Sequence, residues 1–233
     1  MSVARSSQPP TSDGRTKESL HGRSYPDGFL SICFAVLCER CAAFVLASSL
    51  VLMLCERFGY PHGDALRIAG LITAAGYLGS LPGGFLADRV LGHRRGLAIA
   101  LFCLTLAYLL LSLSHPWALW PALTVLVVGN GLHKPSVHVV VRRLFTAGDP
   151  RFEQAQLWLH LVINVAAVLG ALVIGSWSQQ GNWSALFSVA ALTLLAAYAA
   201  WLLAAGQARV ARRVQAMTAD LDRLAKVARH TSN

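Results

Sequence analysis

Charge is scarce in this sequence. Only 13% of its 233 residues are Asp, Glu, Lys or Arg, where an ordinary soluble domain carries roughly a quarter, and this argues against a water-exposed globule. Acidic groups are the scarcest, 11 against 20 basic ones. The five cysteines (Cys33, Cys38, Cys41, Cys55 and Cys103) are an odd number, lie in or beside apolar stretches and lack the spacing of a secreted disulfide framework. Reduced thiols used in packing are expected. Cys38 and Cys41 have a CxxC spacing, but no second pair of Cys or His ligands stands nearby, so no metal site is expected. The first 25 residues are polar, rich in Ser, Pro, Thr and Arg, without the apolar centre of a signal peptide. No nucleophile and base pair, metal cluster or phosphate-binding loop stands above chance, so neither an enzyme nor a bound cofactor is expected.

What is present is long apolar runs. Hydrophobic residues make up 55% of the chain, grouped into stretches near the roughly 20 residues that a helix needs to cross a hydrocarbon core about 30 Å thick. The runs extend from about Phe29 to Leu54, Leu66 to Ala87, Gly96 to Leu113, Trp117 to Val141, Ala155 to Trp177 and Trp183 to Ala205. The expected fold is an all-α membrane protein, a bundle of six transmembrane helices over residues 26–205. Residues 1–25 form a disordered cytoplasmic tail and residues 206–233 a basic amphipathic cytoplasmic helix. Trp117, Trp120, Trp177 and Trp183 flank the turns, as interfacial belts do.

The basic residues set the orientation. A net charge of +9 can signal a nucleic-acid partner, but these cations sit in short clusters between apolar runs rather than along one stripe. No nucleic acid is expected. Arg5, Arg15, Lys17 and Arg23 precede the first run, Arg89, Arg94 and Arg95 follow the second, Arg142, Arg143 and Arg151 follow the fourth, and six more occupy the C-terminal tail. The other side holds only Arg57 and Arg67. By the positive-inside rule both termini lie in the cytoplasm, with the plasma (inner) membrane as the expected location. In the tail, Val210, Val214, Met217, Leu221, Leu224 and Ala228 alternate spacings of four and three. This suits either a helix lying on the inner membrane surface or a short coiled coil pairing two chains.

Two motifs carry more specific information. GGFLADRVLGHRR, from Gly83 to Arg95, lies where the second run leaves the membrane. Gly83, Gly84 and Gly92 allow close helix approach and a tight turn. Asp88 can cap or pair with a neighbouring helix N-terminus, and Arg89, Arg94 and Arg95 hold the loop at an anionic surface. GNGLHKPS, from Gly129 to Ser136, places Lys134 inside the fourth run. A lysine there faces a cavity or a carboxylate, or snorkels to the nearby interface. Glu39 is the sole acid in the middle of any run; an isolated carboxylate in lipid must be protonated or find a cation. His133, His138 and His160 lie in or near runs and are able to carry protons at physiological pH or simply to bond a carbonyl. His160 and Asn164 are four residues apart and share a helix face.

The first motif resembles the loop signature of the major facilitator superfamily, and both together resemble the proton-dependent oligopeptide transporter family. DPRFEQAQLWLHLVINVAAVLG, residues 149–170, is similar to the family's stretch leading into its fifth helix, with its Asn at Asn164. In PDGFLSICFAVLCER the last two residues of the family's ExxER motif fall on Glu39 and Arg40. The resemblance covers about residues 25–205, and it implies a site of Glu39, Arg40, Lys134, His160 and Asn164 for proton coupling and substrate, with Glu39 and Arg40 pairing with Lys134. The chain departs from the family where the first acid falls on Val36, where tyrosines fall on Ala43 and Phe44, and where the fifth-helix tyrosine falls on His160. A second CER triplet, Cys55–Arg57, lies at the outer end of the first run and is set aside on position.

The resembled family uses two six-helix bundles that rock about a central substrate path. Here one bundle is present, so membrane lipid and a second six-helix chain, the same or another, are the expected partners. Two functions follow: a half-size proton-coupled transporter of short peptides, or a structural subunit of a larger membrane complex derived from a transporter half.

Overall fold

The computed structural model describes residues 25–146, 148–177 and 181–206, so the expected N-terminal tail and basic C-terminal helix fall almost wholly outside the described residues. Helix α1 (Phe29–Phe58) is the first span. At 30 residues it is about 45 Å long, enough to cross the hydrocarbon and both headgroup layers. It ends at Gly59, whose φ of 71° is the left-handed conformation that glycine adopts without strain. The Tyr60 amide then donates to the Leu54 carbonyl at 3.0 Å and closes the last turn.

The second span is composite. Helix α2 (His62–Leu78) and helix α3 (Ser80–Leu86) meet at Gly79, and Ala87–Leu91 continue as a wide turn of π type. Helices α4 (His93–Ser112), α5 (Pro116–Arg142), α6 (Arg151–Trp177) and α7 (Trp183–Gly206) form the remaining spans. Among the described residues, five of these six spans are both long and apolar enough to cross a membrane. The sixth, α5, has the length, 27 residues, and starts with Pro116 in its first turn, where a missing amide costs nothing. Its sequence is more polar because Asn130, His133 and Lys134 lie inside it, and the helix runs on through Pro121 and Pro135.

Small residues determine how the spans meet. α4 packs most extensively on α5, α1 on α6, and α3 on α5. Gly83 of α3 faces the backbone of Gly131, and Gly131 in turn faces Gly79. Lipid tails supply no hydrophobic drive between helices, so such backbone approach is a main source of attraction. α7 closes the bundle through Phe187 against Tyr108, ring centroids 6.3 Å apart, and through its Ala200 carbonyl, which accepts from Ser31 Oγ at 3.3 Å.

Burial is uneven. The apolar windows of the first and third spans are 50% and 56% buried, whereas those of the second and fifth are 6% and 17% buried. α2 and α6 therefore present largely uncovered faces.

Candidate functional site

Glu39 lies in the interior of α1 with 2% of its side chain exposed. Its neighbour Arg40 folds back on it in a bidentate fork, Nε donating to Oε2 and Nη2 to Oε1, both at 2.5 Å. Adjacent helical residues normally diverge, so only the length of the arginine allows this closure. From α5, His133 Nδ1 approaches Glu39 Oε2 to 3.5 Å, with its ring 4% exposed. The other ring nitrogen, Nε2, is buried with no hydrogen-bond partner among the described residues.

Lys134 takes a different direction from the one the family resemblance implies. Its ammonium lies over the Tyr77 ring, 3.4 Å from the centroid, on the second span. The carboxylate is met from α5 by His133 instead. One residue along a helix is a rotation of about 100°, so the two side chains leave α5 on different bearings: one enters the α1 interface and the other turns towards α2.

Between these spans is a cavity of about 250 Å³, lined by Glu39, Arg40, Tyr77, Tyr108, Asn130 and Lys134 on its polar side. Ala43 and Phe44 line the apolar side, where the family resemblance leads one to look for tyrosines. Of the expected residues, the structure brings together Glu39, Arg40 and Lys134. His160 and Asn164 do share a face of α6, as their spacing requires, with Asn164 Nδ2 donating to the His160 carbonyl at 3.0 Å and His160 Nδ1 lying 2.8 Å from the Gln156 carbonyl. That face is exposed and stands apart from the cavity lining, because α6 turns Ala155, Leu159 and Ala166 into the bundle.

Among the polar lining residues, Thr73, Tyr77, Tyr108 and Asn130 were not singled out from the sequence. Asn130 is readable in retrospect, being four positions before Lys134 and so on its face. Tyr77 and Tyr108 carry no local signal, since aromatics are common in apolar runs. Val36, where an acid was looked for, is buried at 4% exposure, and the Cys55–Arg57 triplet closes α1 near Phe58 with Glu56 and Arg57 exposed.

The loop motif has a compact local structure. Asp88 Oδ1 lies 2.6 Å from Nε2 of His93, the buried first residue of α4, so the acid does pair with a neighbouring helix start. Gly92 makes the turn between them with a φ of 74°. Arg89 stacks over the Phe85 ring at 5.4 Å, and Arg94 and Arg95 are exposed. A Cβ at Gly84 would meet the Pro135 ring at 3.5 Å, an ordinary contact.

The fold agrees with what the chain resembles. The family model described as Major Facilitator Superfamily matches residues 32–227. The uncharacterized transporter YclF of Bacillus subtilis is 29% identical over 73% of this chain and 36% of its own. The di-/tripeptide transporter of Lactococcus lactis subsp. lactis is 27% identical over 80% of this chain and 39% of its own. Among solved structures, a peptide transporter POT in complex with sulfate superposes with a TM-score of 0.73 at 26% identity, over 78% of this chain and 39% of that one. The chain thus spans about two fifths of the length of these relatives, and the residues that the family model matches include Glu39, Arg40 and Lys134. It is an integral membrane protein that belongs to the major facilitator superfamily.

Proposed function

We propose that this chain forms one six-helix half of a proton-coupled secondary transporter whose substrates are short peptides and which works with a second six-helix bundle. The observation that supports it most is the buried Glu39–Arg40–His133 cluster beside a cavity that also holds Lys134. Ionisable groups at this depth are costly in lipid and belong to ion or substrate paths. Two cations and one carboxylate on a cavity wall also suit the separated charges of a peptide's termini. At about 250 Å³ the cavity is smaller than the roughly 300–1,000 Å³ of a closed small-molecule site, which fits a site whose opposite wall comes from elsewhere. The thin cover over α2 and α6 gives such a bundle a place to sit. The basic clusters favour cytoplasmic termini in the plasma (inner) membrane.

Val36 favours a second reading. A buried valine where the family motif has an acid, together with Ala43 and Phe44 on the cavity wall, suits a scaffold subunit that has abandoned transport. Purification in mild detergent with identification of co-purifying chains, followed by proton-driven dipeptide uptake in liposomes for wild type and Glu39→Gln, separates the two. Saturable uptake lost in Glu39→Gln, with a self-pair or a second six-helix chain present, supports transport. A stable complex with unrelated membrane proteins and no uptake sinks it in favour of the scaffold.

A further inference from the structure

We infer that His133 is the proton-exchanging partner of Glu39, so that one proton passes between the imidazole of α5 and the carboxylate of α1 across the contact between the two helices. This deepens the transport reading and rests on it for its purpose, though its geometry stands without it.

Glu39 Oε2 is approached from its own helix by Arg40 Nε at 2.5 Å and from α5 by His133 Nδ1 at 3.5 Å. The carboxylate is 2% exposed and the imidazole 4%. A buried histidine kept for packing normally satisfies both ring nitrogens. Here Nδ1 is directed at a carboxylate and Nε2 meets no partner among the described residues, an arrangement in which the ring can gain or lose a proton without breaking a second bond. A neutral ring donates from Nδ1 to Glu39 and leaves Nε2 bare; an imidazolium carries both N–H groups.

The surrounding charges make that choice consequential. Glu39 and Arg40 act on the ring from α1, and Lys134 and the exposed His138 from its own helix. Tyr108 of α4 and Tyr77 of α2 act on the Glu39–Arg40 pair. With Glu39, Arg40 and Lys134 ionised, these three together with His133 carry one surplus positive charge when the ring is neutral and two when it is protonated. An anionic group entering between Arg40 and Lys134 therefore favours the imidazolium. Its departure favours transfer of the Nδ1 proton to Glu39 Oε2: one N–H bond breaks, one O–H bond forms, and the products are a neutral imidazole and a neutral acid. The proton then leaves through the cavity that Glu39 lines. Neutralising both groups removes the charge attraction that ties α1 to α5, so the same step loosens the helix contact.

The test uses the full chain in lipid nanodiscs, with any co-purifying chain retained and ¹⁵N introduced at histidine. The His133 signal is assigned with His133→Gln and followed against pH in wild type and Glu39→Gln, with sodium acetate as the anion probe. The expected result is a His133 ring that changes from neutral to protonated between roughly pH 4.5 and 8.5. Its midpoint falls by at least about one unit, tenfold in proton affinity, in Glu39→Gln, and rises when acetate is added to wild type. Glu39→Asp, which keeps the charge but withdraws it by one methylene, gives an intermediate midpoint and serves if Glu39→Gln fails to fold. A ring fixed in one form throughout, or a midpoint indifferent to Glu39 substitution, overturns the inference. A titrating, Glu39-dependent ring in a chain with no peptide uptake upholds it and counts against transport alone.

Discussion

Replacing Gly83 by alanine adds one methyl group at the closest approach of α3 and α5. The new Cβ would lie 2.3 Å from the carbonyl oxygen of Gly131 and 2.6 Å from its carbonyl carbon. A relaxed carbon–oxygen contact is about 3.3 Å, so the two helices must separate by roughly 1 Å. The atoms in the way are backbone, and no rotamer change relieves them. A gap of about 0.5–1 Å forfeits a quarter to a half of the dispersion energy of each facing pair, and in lipid no hydrophobic term opposes the separation. Overpacking costs typically about 1–3 kcal/mol, and a backbone clash belongs at the upper end. Gly84→Ala is the control, because its Cβ would meet Pro135 at 3.5 Å, an ordinary contact, and alanine is the better helix former by about 1 kcal/mol. Cys38, 3% exposed, supplies the assay once the other four cysteines, all part-exposed, are replaced by alanine: a thiol-reactive dye then reports its exposure during heating in mild detergent. Gly83→Ala should unfold roughly 5–10 °C below Gly84→Ala, at about 2–4 °C per kcal/mol for a chain of this size. Equal midpoints would refute the close packing of α3 on α5.

Arg40→Leu leaves the Glu39 carboxylate buried without its bidentate partner, and should destabilise by about 3–5 kcal/mol; adding Glu39→Gln to it should recover a large part of the loss in the same dye assay. Tyr77→Leu removes the ring under Lys134 and should cost about 0.5–2 kcal/mol, while Tyr77→Phe keeps the ring face and should cost little. Ser114 has a φ of 50° and a buried hydroxyl with no partner among the described residues. Ser114→Gly relieves a left-handed strain of about 1–2 kcal/mol against a glycine penalty of about 0.4–1 kcal/mol, so it should raise the unfolding midpoint by a few degrees while Arg57 still reaches the backbone carbonyl at this position.

The spans were legible because lipid leaves the chain little choice: every crossing must be a contiguous apolar helix, and the hydrocarbon thickness fixes its length. Glu39 stood out for the same reason, as a lone acid in the interior of a span. Its partner across the helix interface was not legible. His133 and Lys134 are neighbours in sequence, and choosing between them requires the rotation of α5 about its own axis. In a soluble helix the amphipathic stripe reveals that rotation; in lipid the outward and inward faces are both apolar, and the stripe disappears. What fixes α5 is the placement of its glycines. Gly129 seats against Leu104 of α4, and Gly131 against Gly79 and Gly83 of the second span, and this rotation turns His133 towards α1 and leaves Asn130 and Lys134 on the cavity.

The same reasoning applies to α6. His160 and Asn164 share a face, but spacing alone does not say which way it looks. Ala155, Leu159 and Ala166 are the buried positions, and a side chain at Gly170 would strike Phe44 and the Cys41 carbonyl of α1. With that seam committed to the bundle, the polar pair must look outward. Each side chain bonds a carbonyl of its own helix, at 2.8 and 3.0 Å, which uses one polar atom apiece and lowers the cost of facing lipid. The second polar atom of each still requires a donor or acceptor, and hydrocarbon offers none. A second bundle laid over α2 and α6 would provide partners for both side chains and cover the two least buried spans at once. A nitroxide attached through Asn164→Cys, in a chain whose five native cysteines are replaced, is therefore expected to be relaxed by oxygen dissolved in the bilayer when the bundle is alone and to be shielded in a complex with a second bundle; equal oxygen accessibility in both would place that bundle elsewhere.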